Sequence, residues 1–137
     1  MSEKYSRLRL MVWLLSTDSY FMPTKLARIL VVEDETLLCD MMRVLLTRWG
    51  YEVECANTGT QALENIKNKG CDLALIDLKL PDMSGKDLAP KIKAHHPTIP
   101  IIMITAFPPA ELPGVDEIIS KPLRADTLRQ IVQSRIG

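Results

Sequence analysis

"LALIDLKLPDMSG", Leu73 to Gly85, decides how the rest of the chain is read. Leu73–Ile76 are apolar without a break, as in a strand buried on both faces of a parallel sheet. Pro81, Asp82, Ser84 and Gly85 are turn residues. Asp77 stands between the two. A carboxylate at the end of a buried strand is costly unless a partner offsets its charge, so the rest of the chain is searched for that partner.

Strand and helix signals alternate outward from this stretch. "RILVVED" (Arg28–Asp34) is a second buried strand, closed by two acids. "ETLLCDMMRVLLTRWG" sets Leu37, Leu38, Met41, Met42, Leu45, Leu46 and Trp49 at helical spacing and stops at Gly50. "YEVECA" (Tyr51–Ala56) alternates as an edge strand does, and "TGTQALENIKNKG" is a helix with Ala62, Leu63 and Ile66 on one side. After Asp77 come a helix over Lys86–His96 with Pro90 in its first turn, a strand over Ile99–Ala106, a short strand over Asp116–Ser120 and a last helix over Arg124–Ile136. This alternation predicts a parallel sheet covered on both faces. Residues 106–116, "AFPPAELPGVD", hold three prolines and a glycine. They predict a loop or a single turn where a full helix is expected.

Length and composition bound the class. At 137 residues, 47% apolar and 25% charged, the chain fits one soluble domain. Seventeen basic residues balance seventeen acidic ones, which gives no signal for a nucleic-acid or membrane-surface partner. Cys39, Cys55 and Cys71 are odd in number and widely spaced, which predicts reduced thiols in a cytoplasmic protein, with no disulfide and no zinc site. The folded domain is expected over 25–137. Residues 1–24 read as a loosely attached, disordered extension or a mis-assigned start, with Met22 a natural beginning. "LRLMVWLL" (Leu8–Leu15) falls well short of the roughly 20 residues of a membrane span. A weak amphipathic docking helix is the other reading of it.

Ligands of an open parallel sheet bind beyond the carboxyl ends of its strands. Glu33 and Asp34 stand at the first such end, Asp77 at the third, Thr105 at the fourth, and Lys121 with Pro122 after the fifth. Clustered carboxylates repel, and a hard divalent cation such as Mg2+ removes that conflict. An ammonium opposite the cation suits an incoming phosphoryl group, and a carboxylate can itself accept that group.

These residues resemble the receiver domain of two-component response regulators. "ILVVEDE", "LALIDLKLPDMSG", "IMITA" and "IISKP" occur in the family's order, from about Lys25 to the C-terminus. The resemblance implies an α/β doubly wound, flavodoxin-like sheet of five parallel strands in the order 2-1-3-4-5. It also implies roles. Asp77 is the phosphoacceptor, charged from a sensor histidine kinase or a histidine phosphotransfer protein. Mg2+ is ligated by Asp34, Asp77 and the Lys79 backbone carbonyl, with Glu33 acting through water. Lys121, the Thr105 hydroxyl and the Ala106 backbone N–H stabilise the phosphoryl group, and the Lys121–Pro122 bond is cis. Thr105 and position 118 form the switch.

Three features depart from the family pattern. Glu33 stands where Asp is commoner, and its longer arm still reaches a metal-bound water. Ile118 replaces a switch aromatic. The fourth helix is short or missing, which predicts a monomer or weak dimer. Phe107 and Pro108 are expected to restrict water at the site. The last helix ends the chain, so output is expected through an unknown downstream protein, not direct DNA contact. Such a module is no enzyme beyond self-phosphorylation and slow autodephosphorylation. A phosphorylation-independent interaction module is the main alternative. An aspartyl-nucleophile phosphatase is less favoured, because Lys79 occupies the position of its second acid.

Overall fold

The structure, a computed structural model, describes residues 25–137. The extension expected over 1–24 lies outside the described residues. Five strands, β1 (Arg28–Val32), β2 (Glu52–Ala56), β3 (Leu73–Asp77), β4 (Ile101–Thr105) and β5 (Glu117–Ser120), alternate with helices α1 (Thr36–Arg48), α2 (Gly59–Asn68), α3 (Gly85–His95) and α4 (Ala125–Ile136). All pairings are parallel and the strand order is β2-β1-β3-β4-β5.

Alternate side chains of each central strand enter opposite cores. Leu30, Val32, Ala74, Ile76, Ile101 and Met103 face α2 and α3, where Ala62, Ile66, Leu88 and Ile92 cover them. Ile29, Val31, Leu73, Leu75, Ile102 and Ile104 face α1 and α4, where Met42, Leu46, Leu128 and Val132 cover them. Each fully buried Leu or Ile contributes about 1.5–3 kcal/mol, so the unbroken apolar runs specify the central strands.

No helix forms between β4 and β5, as the prolines predict. Leu112, Val115 and Ile118 lie against the α2–α3 core in its place. Asp116 ties the end of this segment down. It accepts the Ile101 N–H at 2.7 Å and the Lys93 ammonium at 3.1 Å, and its own N–H donates to the Ile101 carbonyl at 2.8 Å.

Two expectations are corrected. Pro90 lies inside α3, not in its first turn. The helix begins at Gly85, because the Ser84 hydroxyl caps it by accepting the Lys86 N–H. Cys39 and Cys55 are joined in a disulfide, with Cα atoms 6.5 Å apart, and only Cys71 is free. Their separation of 16 residues hides the pairing, which arises because α1 packs beside β2. The first helix, α1, buries only part of its apolar set: Leu37 is 81% exposed, and Met41 and Val44 also face solvent. Among the described residues, no helix is long and apolar enough to cross a membrane.

Candidate functional site

Strand register brings the expected groups to one edge. Val32 lies opposite Ile76, so Glu33 emerges level with Asp77. Thr105 lies opposite Ser120, so Lys121 leaves β5 just beyond it, and its N–H donates to the Thr105 carbonyl at 2.8 Å. The Lys121 side chain folds back over the edge. Its ammonium donates to Asp77 Oδ2 at 3.0 Å and Glu33 Oε1 at 3.1 Å. Asp77 Oδ1 accepts the Lys79 N–H at 3.0 Å. Asp34, Asp77, Lys79, Thr105, Ala106 and Lys121 line a cleft of about 400 Å³.

Oxygens of Glu33, Asp34 and Asp77 lie within 4.8 Å of one another. Glu33 is 1% exposed, and its Oε2 is buried without a hydrogen-bond partner. Burial, together with the bond to Asp77 and the charge on Asp77, pushes its carboxyl up to about 8 against the pull of Lys121. Asp77 moves the other way. Burial raises it, but Glu33, the Lys79 N–H and Lys121 outweigh that, and the net shift is downward. The two carboxyls are therefore shifted apart, Glu33 upward and Asp77 downward. Lys121 is held ammonium: burial opposes this, and its two carboxylate partners prevail.

The orphaned Glu33 oxygen and the clustered acids fit a hard cation. Oxygen donors of this kind suit Mg2+, whose charge would oppose the burial that raises the Glu33 carboxyl.

The loop after Asp77 is anchored from both ends. Gly85 N–H donates to the Leu78 carbonyl at 2.8 Å. A Cβ on Gly85 would lie 2.6 Å from the Asp77 carbonyl, so only glycine allows this approach. Asp82 accepts the N–H groups of Gly59 and Thr60 at 2.8 and 2.9 Å and the Thr60 hydroxyl at 2.8 Å, capping α2 from outside. Those bonds lower its carboxyl to about 2.

The expected residues do not all converge. Glu33, Asp34, Asp77, Thr105, Ala106 and Lys121 come together, and the Lys121–Pro122 bond is cis. Thr105 Oγ1 accepts the Phe107 N–H at 3.3 Å. Ile118 pairs with Met103, two residues before Thr105, and packs, partly buried, against the α2–α3 core. Phe107 lines the cleft mouth but is 88% exposed, so its ring does not seal the cleft. Asn57 is an addition: its side-chain amide donates to the Glu33 carbonyl at 2.9 Å. It stands at the carboxyl end of β2, where the strand-end rule also points, but an uncharged amide offers no electrostatic cue. Asp82, three residues before Gly85, reads from sequence only as a turn residue.

Comparison with known proteins agrees with this geometry. The family described as "Response regulator receiver domain" matches residues 29–133. The chain is 35% identical to the transcriptional regulatory protein ZraR of Escherichia coli K12 over 115 residues, covering 80% of this chain and 26% of that one. It is 35% identical over 112 residues to the regulatory protein LuxO of Vibrio vulnificus, covering 77% and 25%. The chain thus spans about a quarter of the length of these curated relatives. Among solved structures, a CheY-like receiver domain protein of Methanospirillum hungatei superposes with a TM-score of 0.77 at 36% identity, covering 80% of this chain and 93% of that one. The response regulator TrrA of Thermotoga maritima, solved with Mg(2+)-BeF, gives 0.75 at 29%, covering 81% and 100%.

Proposed function

This chain belongs to the response regulator receiver domain family, and on that premise we propose that Asp77 is its phosphoacceptor, charged from a phosphohistidine on a sensor kinase or phosphotransfer protein. The observation that carries this reading is the state of Asp77. It is held ionised at the end of a central strand, 3.0 Å from an ammonium, beside two further acids.

An Asp77 oxygen attacks the phosphorus, the P–N bond breaks, and the imidazole leaves with its electron pair. Lys121, already bridging Asp77 and Glu33, moves its donors to the incoming phosphoryl oxygens. The Thr105 hydroxyl turns to donate to the same group, as does the Ala106 N–H. Asp34, Asp77 and the Lys79 carbonyl, with Glu33 acting through water, would hold Mg2+, which would supply the positive charge that such a transfer needs. The product, an acyl phosphate on Asp77, is the signal. A downstream protein reads it, and no second substrate turns over. We place the module in the cytoplasm, where kinase donors are charged.

The test is intact mass. With Mg2+ and a small acyl-phosphate donor, the wild-type chain is expected to gain one phosphoryl group and Asp77→Asn none. An equal adduct on both proteins overturns the assignment. No adduct on a folded, Mg2+-loaded wild-type chain favours the phosphorylation-independent module.

A further inference from the structure

The Cys39–Cys55 bond joins α1 to β2 near the acidic loop, with Cys55 opposite Val31, two residues before Glu33. Cys39 is in the first turn of α1, three residues after Thr36, and is 1% exposed. Cys55 is the penultimate residue of β2 and is half-buried. The residues that follow it hold Glu33 by both backbone groups: Glu33 N–H donates to the Ala56 carbonyl at 2.9 Å, and the Asn57 amide donates to the Glu33 carbonyl at 2.9 Å. Lys121 holds the Glu33 side chain at 3.1 Å, and the Cys39 N–H donates to the Glu35 carbonyl at 3.0 Å. Glu35, at the N-cap of α1, makes no side-chain capping bond. Residues 33–35 are therefore strung between β2 and α1, and the sulfur bridge joins those same two elements.

We propose that Cys39 and Cys55 form a reversible thiol–disulfide site, reacting with low-molecular-weight disulfides, that sets how firmly the acidic loop Glu33–Glu35 is held. Cys55, the more accessible sulfur, attacks as thiolate on a small disulfide RSSR, forms a mixed disulfide and expels one RS⁻. The Cys39 thiolate then attacks the Cys55 sulfur, forms the internal bond and expels the second RS⁻. The protein loses two protons and two electrons, and RSSR takes them up as two RSH. Reduction runs the same steps backward. Bridged, α1 and β2 move as one unit and the loop between them is confined. Open, the loop keeps the Ala56 and Asn57 bonds, the Lys121 contact to Glu33 and the Cys39 N–H bond to the Glu35 carbonyl, but loses the covalent tie between α1 and β2.

The test needs no phosphodonor, so its failure is separable from failure of the Asp77 assignment. The full chain is equilibrated with oxidised or reduced glutathione, trapped with maleimide under denaturing conditions and mapped by mass. Backbone amide exchange is followed in parallel, in chelator. The oxidised chain is expected to take up one maleimide and yield a Cys39–Cys55 peptide pair. Its amides over 33–38 should exchange about three- to tenfold more slowly than in the reduced chain. Cys55→Ser, whose hydroxyl fits the half-buried position, should exchange at the reduced rate under both conditions. Mn2+, used as a probe ion, should bind the oxidised chain several-fold more tightly than Cys55→Ser. Three free thiols at every glutathione ratio, a pairing that uses Cys71 or a second chain, or equal loop exchange in both forms would each overturn the proposal.

Discussion

At the scale of single residues, the site sets two neighbouring carboxyls against each other, Glu33 shifted up and Asp77 shifted down. The Glu33 carboxyl is pushed up to about 8 from an ordinary 4.5, while Asp77 is held below its ordinary value of 3.8. The signs for stability follow. Between about 4.5 and 8, the folded chain binds a proton at Glu33 that the unfolded chain has released, so stability falls as pH rises through that window. Asp77 contributes with the opposite sign: its stabilisation is present above 3.8 and lost as pH falls further. In chelator, melting temperature is therefore expected to decline from pH 5 to 8. Glu33→Gln, which imitates the protonated acid, should flatten that decline, and parallel slopes for the two proteins would rule the account out. Mg2+ should also flatten it, because the ion competes for the carboxylate the proton occupies. The sequence shows three acids and a lysine at strand ends, but not which carboxyl is shifted upward. That depends on the burial of Glu33 and on an oxygen without a partner, and both are properties of the packed state.

At the scale of elements, the loop after Asp77 is held by backbone fit and by one external cap. A Cβ placed on Gly85 would meet the Asp77 carbonyl at 2.6 Å and the Leu78 Cα at 3.0 Å, neither of which can swing aside. A Cβ at Gly59 meets only the Met83 side chain, at 2.5 Å and beyond, which can rotate. Chemical denaturation should therefore show Gly85→Ala losing about 1–3 kcal/mol and Gly59→Ala less; the reverse order would refute the packing argument. Asp82→Ala removes the acceptor of three bonds at the start of α2. A melting temperature lower by a few degrees is expected at neutral pH. The difference from wild type should shrink as pH falls towards about 2, where Asp82 takes up its proton. A constant gap across that range would mean the carboxylate is not the cause. The elements themselves were legible because each central strand is a bare apolar run and most helices have a clear stop residue. Boundaries and pairings were not. Where α3 begins depends on one hydroxyl, that of Ser84, and this moves Pro90 into the helix interior. Cys39 and Cys55 become neighbours only once α1 lies beside β2. Leu37, Met41 and Val44 lie on the same helix as Met42 and Leu46, and only packing decides which set is buried.

At the scale of the whole molecule, the segment 106–116 sets this chain apart from a sheet with a helix in every crossover. Leu112, Val115 and Ile118 still cover the core there, and Asp116 with Lys93 pins the segment's end. Burial raises the Asp116 carboxyl, but the Ile101 N–H and Lys93 outweigh it and the net shift is downward, so the pin is charged at neutral pH. What is lost is a regular outer surface: Phe107 to Glu111 are all exposed, without the repeat that a helix would impose on them. A stable protein interface buries on the order of 1,200–2,000 Å² of well-matched surface. The four-residue edge strand β5 and an irregular loop offer little that could match a second copy of itself. Ile118, packed against the α2–α3 core, offers no ring to carry a change at the site outward. Sedimentation velocity of the full chain, with Mg2+ alone and with Mg2+ and beryllium fluoride as phosphoryl mimic, is accordingly expected to give one species of single-chain mass in both conditions, up to roughly 100 μM. A dimer that forms only with beryllium fluoride would show that this face, or another, carries the signal between copies. A monomer in both conditions leaves recognition of one charged chain by a different protein as the route by which Asp77 is read.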